Sequence, residues 1–443
     1  MGQWEQRTAG GARTAQERPG TGGFAIHVGR AAASAADSIL ALEPLWVIPV
    51  LLLVFFPNSL SWPAVALAAL PWPLRLWRRG YLTTRTPFDA SVLLLLGGIG
   101  MGLYASMDLR LSTEAIHGYV GAIILFYALS NNASSGYMRF YVWFGLFMAT
   151  SAAVWAFSQS GGLPENKLSA YNEFIFRAAA ALPKVGSYGL SLNATAGALM
   201  IGTTAAGGIA LFARSGPLRY GAGLWGAALL IALLMTASRA AFVGTGAALL
   251  FLVIWWRRWL IPLVPVLVAV GVVTGPTAVL SLLGLSGMAS PETFVGRTEA
   301  WQNTLTMLSD MPFTGVGLAS FPLVYPLYSI PAGAAPVVSP HNIYLHVATD
   351  FGILGVLAAL AAGIAALRLA VQVLRAPHLD LYYGLACGLV AGVVGFAVYG
   401  FFESAVGGGP KVAGTWHYWV SPIPSVLAGL LVATARRLWV LDQ

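Results

Sequence analysis

The chain of 443 residues has one cysteine, six histidines and little charge, Asp, Glu, Lys and Arg together making 9%. A single cysteine excludes an intrachain disulfide, and Cys387 lies inside an apolar run that suggests no thiol metal site. No group of His, Cys, Asp and Glu offers three convergent ligands, so neither a metal nor another cofactor is expected. The shortage of charge also excludes one or two soluble domains, for which about 25% charged residues is usual.

What the chain has instead is apolar residue, 58% of the total. It comes in many runs near the ~20 residues that cross a ~30 Å hydrocarbon core. A β-barrel would show short alternating segments. The expected fold is therefore an all-α polytopic membrane protein of about twelve spans. They lie near 38–56, 59–76, 88–107, 114–130, 137–158, 188–213, 220–236, 240–256, 259–283, 343–370, 380–402 and 416–435. Residues 1–36 are Gly/Ala/Thr-rich with Arg7, Arg13, Arg18 and Arg30, and read as a flexible cytoplasmic tail rather than a cleaved signal peptide.

The net charge of +8 raises the possibility of a nucleic-acid partner, but the placement of the basic residues argues for a membrane. With the N-terminus inside, most of them fall on inner segments, among them Arg75, Arg78, Arg79, Arg257, Arg258 and Arg436. The outer side keeps Arg110, Lys167, Arg177, Lys184, Arg239, Arg297 and Lys411. The positive-inside rule then gives an even number of spans and two cytoplasmic termini. The run Gly221 to Trp256 would be ~50 Å long as one helix, too long for the bilayer. Two passes joined by a tight outer turn, "TASRA", put Arg239 at the outer boundary.

Three regions follow: spans one to nine over 37–283, an extracytoplasmic loop over 284–342, and spans ten to twelve with a short cytoplasmic end over 343–443. The loop contains its own helix. Ser290-Pro291-Glu292 reads as an N-cap, a first-turn proline and an early acidic residue. The helix runs through "FVGRTEAWQNTLTMLSD" and stops before Pro312, with Arg297, Trp301 and Leu305 on one face. A second long connection, 159–187, carries Lys167, Arg177 and Lys184 but nothing diagnostic. The sequons at Asn132 and Asn193 map to the inner face and to a span, so neither is a credible glycan acceptor.

Where that loop ends stands "SPHNIYLHVATDFGILG". His341 and His346 are five residues apart, which on a regular helix sets them about 140° apart and rules out a shared ion. His346 reads as a packing residue. His341 follows Pro340 and opens the span, on a stripe with Leu345, Ala348, Gly352 and Gly355. It can cap the loop by hydrogen bonding, or take a proton from a hydroxyl near neutral pH. Arg239 beside hydrocarbon needs a partner. Either a carboxylate such as Glu403 or Asp350, or a ligand phosphate, would serve. Arg297 reads as a solvated helix residue or a second such cation.

Together these stretches resemble the signature loop of the O-antigen ligase and polymerase superfamily, integral-membrane glycosyltransferases with a fold of the GT-C kind. The family pattern of His, then Asn, Ser or Gln, nine residues and Gly-x-x-Gly is matched by His341, Asn342, Gly352 and Gly355. The helix before it matches through Arg297, although Trp301 stands where one form of the motif has leucine. "TASRAAF" resembles the family's Ser-Arg turn at Arg239. The resemblance implies an O-antigen ligase of lipopolysaccharide biosynthesis in the bacterial inner membrane, its active site facing the periplasm. It would move a glycan from undecaprenyl diphosphate to a hydroxyl of lipid A–core oligosaccharide, without a metal and with inversion. His341 would be the base, Arg239 and Arg297 the diphosphate clamp, and Asn342 and Glu403 supporting residues. An O-antigen polymerase or a protein O-oligosaccharyltransferase of the same superfamily stays open, as does, from another class, a glycolipid transporter or flippase.

Overall fold

A computed structural model describes residues 22–55, 60–160, 192–214, 216–263, 265, 266, 269, 291–329, 337–376, 380–404, 406–410 and 416–440. The expected tail is helical from Gly22 onward, and residues 1–21 lie outside this description. Most of the span at 259–283 and the whole 159–187 connection except its first two residues also lie outside it.

The first two apolar runs are not straight rods. α1 (Gly22–Ala41) and α2 (Glu43–Phe55) meet at 64°. The span expected at 59–76 is likewise two helices, α3 (Ser61–Ala69) and α4 (Pro71–Arg79). Pro71 lacks an amide hydrogen and opens α4, where none is needed. Arg75 of α4 reaches back to Glu43 at the start of α2, and both side chains are only 2% exposed. Asn132 Nδ2 donates to the same carboxylate at 3.0 Å, so the pair is bridged as well as buried.

Eight longer helices follow up to the loop's end and beyond: α5 (Asp89–Tyr104), α6 (Leu109–Ser130), α7 (Ser135–Ser160), α8 (Leu192–Phe212), α9 (Pro217–Met235), α10 (Arg239–Trp256), α11 (Pro291–Asp310) and α12 (Ile343–Arg375). α13 (Leu381–Tyr399) and α14 (Ile423–Val440) complete the set. Seven of the described helices, α6 to α10, α12 and α13, are long and apolar enough to cross a bilayer, and the bent α1–α2 pair would make eight. The chain is therefore a polytopic helical membrane protein, with fewer qualifying spans among the described residues than the twelve expected. The turn expected between 220–236 and 240–256 is present, as Thr236, Ala237 and Ser238 between α9 and α10.

One expectation is corrected. The segment at 416–435 does not start as a helix: β1 (Val406–Pro410) pairs antiparallel with β2 (Trp416–Val420), Val406 opposite Val420. Three consecutive glycines and a proline disfavour helix in β1, while the aromatic "WHYWV" favours strand. The all-α description thus carries one hairpin before α14.

Small residues bring the central helices together. A Cβ on Gly208 of α8 would lie 2.3 Å from Gly384 O and 2.5 Å from Gly388 N of α13, so these backbones touch. α8, α10, α12 and α13 thereby bring four termini to one end of the bundle: Asn193, Arg239, the residues before Ile343, and those after Tyr399.

Candidate active site

The segment that leads into this end from α11 is a glycine-rich loop docked on a broken helix. α12 is interrupted at Gly352, whose φ of 57° and ψ of −144° lie far from helical values. The 313–318 loop mends the break: Ile353 N donates to Phe313 O at 3.0 Å, and Val316 N donates to Thr349 O at 2.8 Å. Leu318 N donates to Gly102 O on α5 at 2.8 Å, while Ser112 Oγ of α6 donates to Leu318 O at 2.8 Å. A Cβ on Gly352 would lie 2.0 Å from Phe313 O, so only glycine admits the loop. Irregular backbone within a membrane-spanning helix is tolerated where protein groups satisfy it, as the loop does here. Ala300, Met307, Val316, Phe321, Val324 and Tyr325 form a small buried cluster that fastens α11 to this loop.

His341 precedes α12 instead of lying on it. Asn342 is the N-cap, its Oδ1 accepting from Tyr344 N at 3.0 Å and Leu345 N at 3.1 Å. The helical stripe expected from His341 through Gly352 is therefore corrected, because the residue stands outside the helix with a φ of 48°. The two histidines part for a different reason than helical angle. His346 is 1% exposed and its Nε2 lies 3.3 Å from Asp350 Oδ2, within the core as expected. His341 keeps a side chain 39% exposed, and its Nδ1 lies 3.3 Å from Glu403 Oε1, on a carboxylate only 10% exposed. A buried carboxylate on Nδ1 orients the ring of a partly exposed imidazole.

Glu403 is itself held. Asn193 Nδ2 donates to its Oε2, Ser404 N donates to its Oε1 at 3.2 Å, and Tyr399 Oη donates to Asn193 O at 3.0 Å. Asn342 also supports the site from below, its Nδ2 donating to Phe401 O at 3.2 Å, while Ile343 N donates to Gly400 O at 2.7 Å. The sequence reading missed Asn193, which it treated only as a failed sequon. No local signal joins it to Glu403, since 210 residues separate them.

The arginines complete the arrangement. Arg297 is half-buried on α11, and this burial pulls its guanidinium below the ordinary arginine value. The negative charge of Glu403 opposes that shift, and the like charge of Arg239 adds to it. The three charges therefore share one neighbourhood, bringing together residues far apart in sequence. Arg239 opens α10 two residues after Ala237, which has a φ of 51°. The non-glycine residues with positive φ among the described residues are Ala237, Ala319 and His341. One precedes the Ser238-Arg239 pair, one lies in the docked loop and one is the candidate base. Backbone strain of this kind gathers where surrounding structure fixes a functional geometry. Among the described residues no group of three or more His, Cys, Asp or Glu could hold a metal ion.

An imidazole held by a buried carboxylate can accept a proton, and two guanidinium groups can receive negative charge. Residues 224–360 match the family model described as O-antigen ligase. That stretch includes Arg239, Arg297, His341 and Asn342, while Asn193 and Glu403 lie outside it. No curated protein matches the sequence. The matched segment, with the motif residues gathered at one end of a helical bundle, makes this part of the chain similar to the O-antigen ligase family, and the match supports the O-antigen ligase and polymerase superfamily.

Proposed function

We propose that the chain is an O-antigen ligase. It transfers a preassembled glycan from undecaprenyl diphosphate to a sugar hydroxyl of lipid A–core oligosaccharide, on the periplasmic face of the bacterial inner membrane. The observation that carries this reading is the half-exposed His341 on buried Glu403, in the same charge neighbourhood as Arg239 and Arg297. In the reaction the acceptor oxygen attacks the anomeric carbon and its proton passes to His341 Nε2. The bond between that carbon and the diphosphate oxygen breaks, and its electron pair leaves with the lipid diphosphate. Arg239 and Arg297 meet the charge that develops there, where fixed cations stabilise the transition state most. A single displacement inverts the anomeric centre. Glu403 orients the imidazole, and Asn193 and Asn342 hold the two segments that carry the pair.

Reconstitution with a polyprenyl-diphosphate glycan and purified lipid A–core tests the assignment. Attachment of the glycan to the core supports a ligase. Lengthening of the lipid-linked glycan into a ladder makes the protein a polymerase, and movement of the glycolipid without bond formation makes it a transporter. Sidedness is tested by Glu299→Cys and Arg79→Cys, both at exposed positions. An impermeant periplasmic reagent should label the first in intact cells and leave the second unlabelled, and the reverse pattern overturns the orientation.

A further inference from the structure

The backbone at His341 raises a question that the hydrogen bonds around Glu403 do not answer. A positive φ is unfavourable at a residue with a side chain, so the peptides on both sides must be held. On the downstream side Asn342 and Ile343 are tied to Phe401 O and Gly400 O. The upstream residue, Pro340, has no N–H, so its carbonyl is the one backbone group through which it can be hydrogen-bonded. That carbonyl accepts from Trp301 Nε1 at 2.9 Å. The same indole packs on the Phe402 ring, with centroids 6.4 Å apart, next to Glu403. Trp301 lies one helical turn after Arg297 on α11.

We propose that Trp301 is a positioning residue for the transfer reaction: its N–H holds the peptide before His341 and its ring holds the segment before Glu403. It thereby fixes the imidazole relative to the arginine-bearing helix. The inference rests on the reading of His341 as the base.

The test uses the full-length purified enzyme in the reconstituted transfer assay, with Trp301→Phe and Trp301→Ala compared at varied donor concentration. Phenylalanine keeps an aromatic ring and removes the donor. Trp301→Phe should lower kcat by about tenfold or more, nearly as much as Trp301→Ala, with donor KM within about twofold, because a small misplacement of a reacting group slows chemistry without weakening binding. Thermal unfolding of the phenylalanine variant in detergent should stay close to that of the parent. A phenylalanine variant with parental kcat overturns the proposal, since packing alone would then suffice. It is equally overturned if the loss of kcat is matched by a loss of folded protein, or is replaced by a rise in donor KM. His341→Ala serves as the separate control. If that variant keeps parental turnover, the base reading itself fails, whereas an inactive His341→Ala beside an unimpaired Trp301→Phe removes only the present inference.

Discussion

At the end of the bundle where α2, α4, α6 and α14 meet, arginine is consumed by the protein, whereas at the end that holds His341 the nearby carboxylate is consumed instead. Arg75 sits against Glu43 and donates to Leu82 O at 2.9 Å. Arg436 donates to Thr84 Oγ1 and Arg85 O, each at 2.7 Å, and also to Ser130 O. These side chains tie neighbouring segments together, and the N–H groups named here are taken up inside the protein. At the other end Glu403 commits one oxygen to His341 and the other to Asn193. Two arginines share its neighbourhood. On the proposed function, the contrast sets guanidinium as a structural clamp against guanidinium as a charge for the donor's diphosphate.

The comparison is broken most directly at the base. His341→Ala should lower transfer by about 10²- to 10⁴-fold, the range of a general base, with the fold intact by thermal unfolding. Parental turnover in that variant would leave the His341 end without a catalytic role. Next comes a pair of arginine replacements measured for both stability and rate. Arg297→Ala should cost about a hundredfold in kcat with little change in unfolding temperature. Arg75→Ala should cost about 3–5 kcal/mol of stability, because it strands a buried carboxylate, yet leave activity per folded molecule near parental. Equal effects of the two on rate would erase the distinction between the ends. A smaller effect is expected at the helix break. Gly352→Ala puts a Cβ onto Phe313 O and demands a positive φ, so about 1–3 kcal/mol of stability should be lost, read by chemical or thermal unfolding. The smallest effect is expected from chelation. Transfer by purified enzyme should survive EDTA, and an absolute requirement for added divalent ion would show that the arginines do not act alone.

The sequence makes some of this plain and hides the rest, for reasons that follow from scale. The helices α8, α9, α10, α12 and α13 are readable because apolar runs of bilayer length have few alternatives. The tight turn at Ala237 is readable because one helix from Gly221 to Trp256 would be too long. α11 announces itself through Pro291 and Glu292, and it ends at Asp310, before Pro312, as the spacing predicts. The bend between α1 and α2 and the break before α4 are masked although Pro44 and Pro71 stand just after them, because the apolar residues on either side suit one continuous span as well as two helices. The β hairpin is hidden by the same ambiguity, because "WHYWV" suits a span as well as a strand. At the site, His341, Asn342, Arg239 and Arg297 are legible as a motif. Their geometry is not: the left-handed backbone at His341 and the break at Gly352 depend on tertiary contacts that override local periodicity. Asn193 and Trp301 matter through partners far along the chain, and no local pattern marks such a pair.

The docking of the 313–318 loop into the break of α12 also constrains how the protein is made. The loop emerges from the ribosome before the helix that receives it, and Glu403 emerges later than both. Asn193 must therefore wait, membrane-inserted, while the following 210 residues are synthesised and placed. The His341 end can close only when α13 has entered the bilayer, so a nascent chain truncated between Gly355 and Glu403 would carry its signature motif and lack the carboxylate that His341 meets.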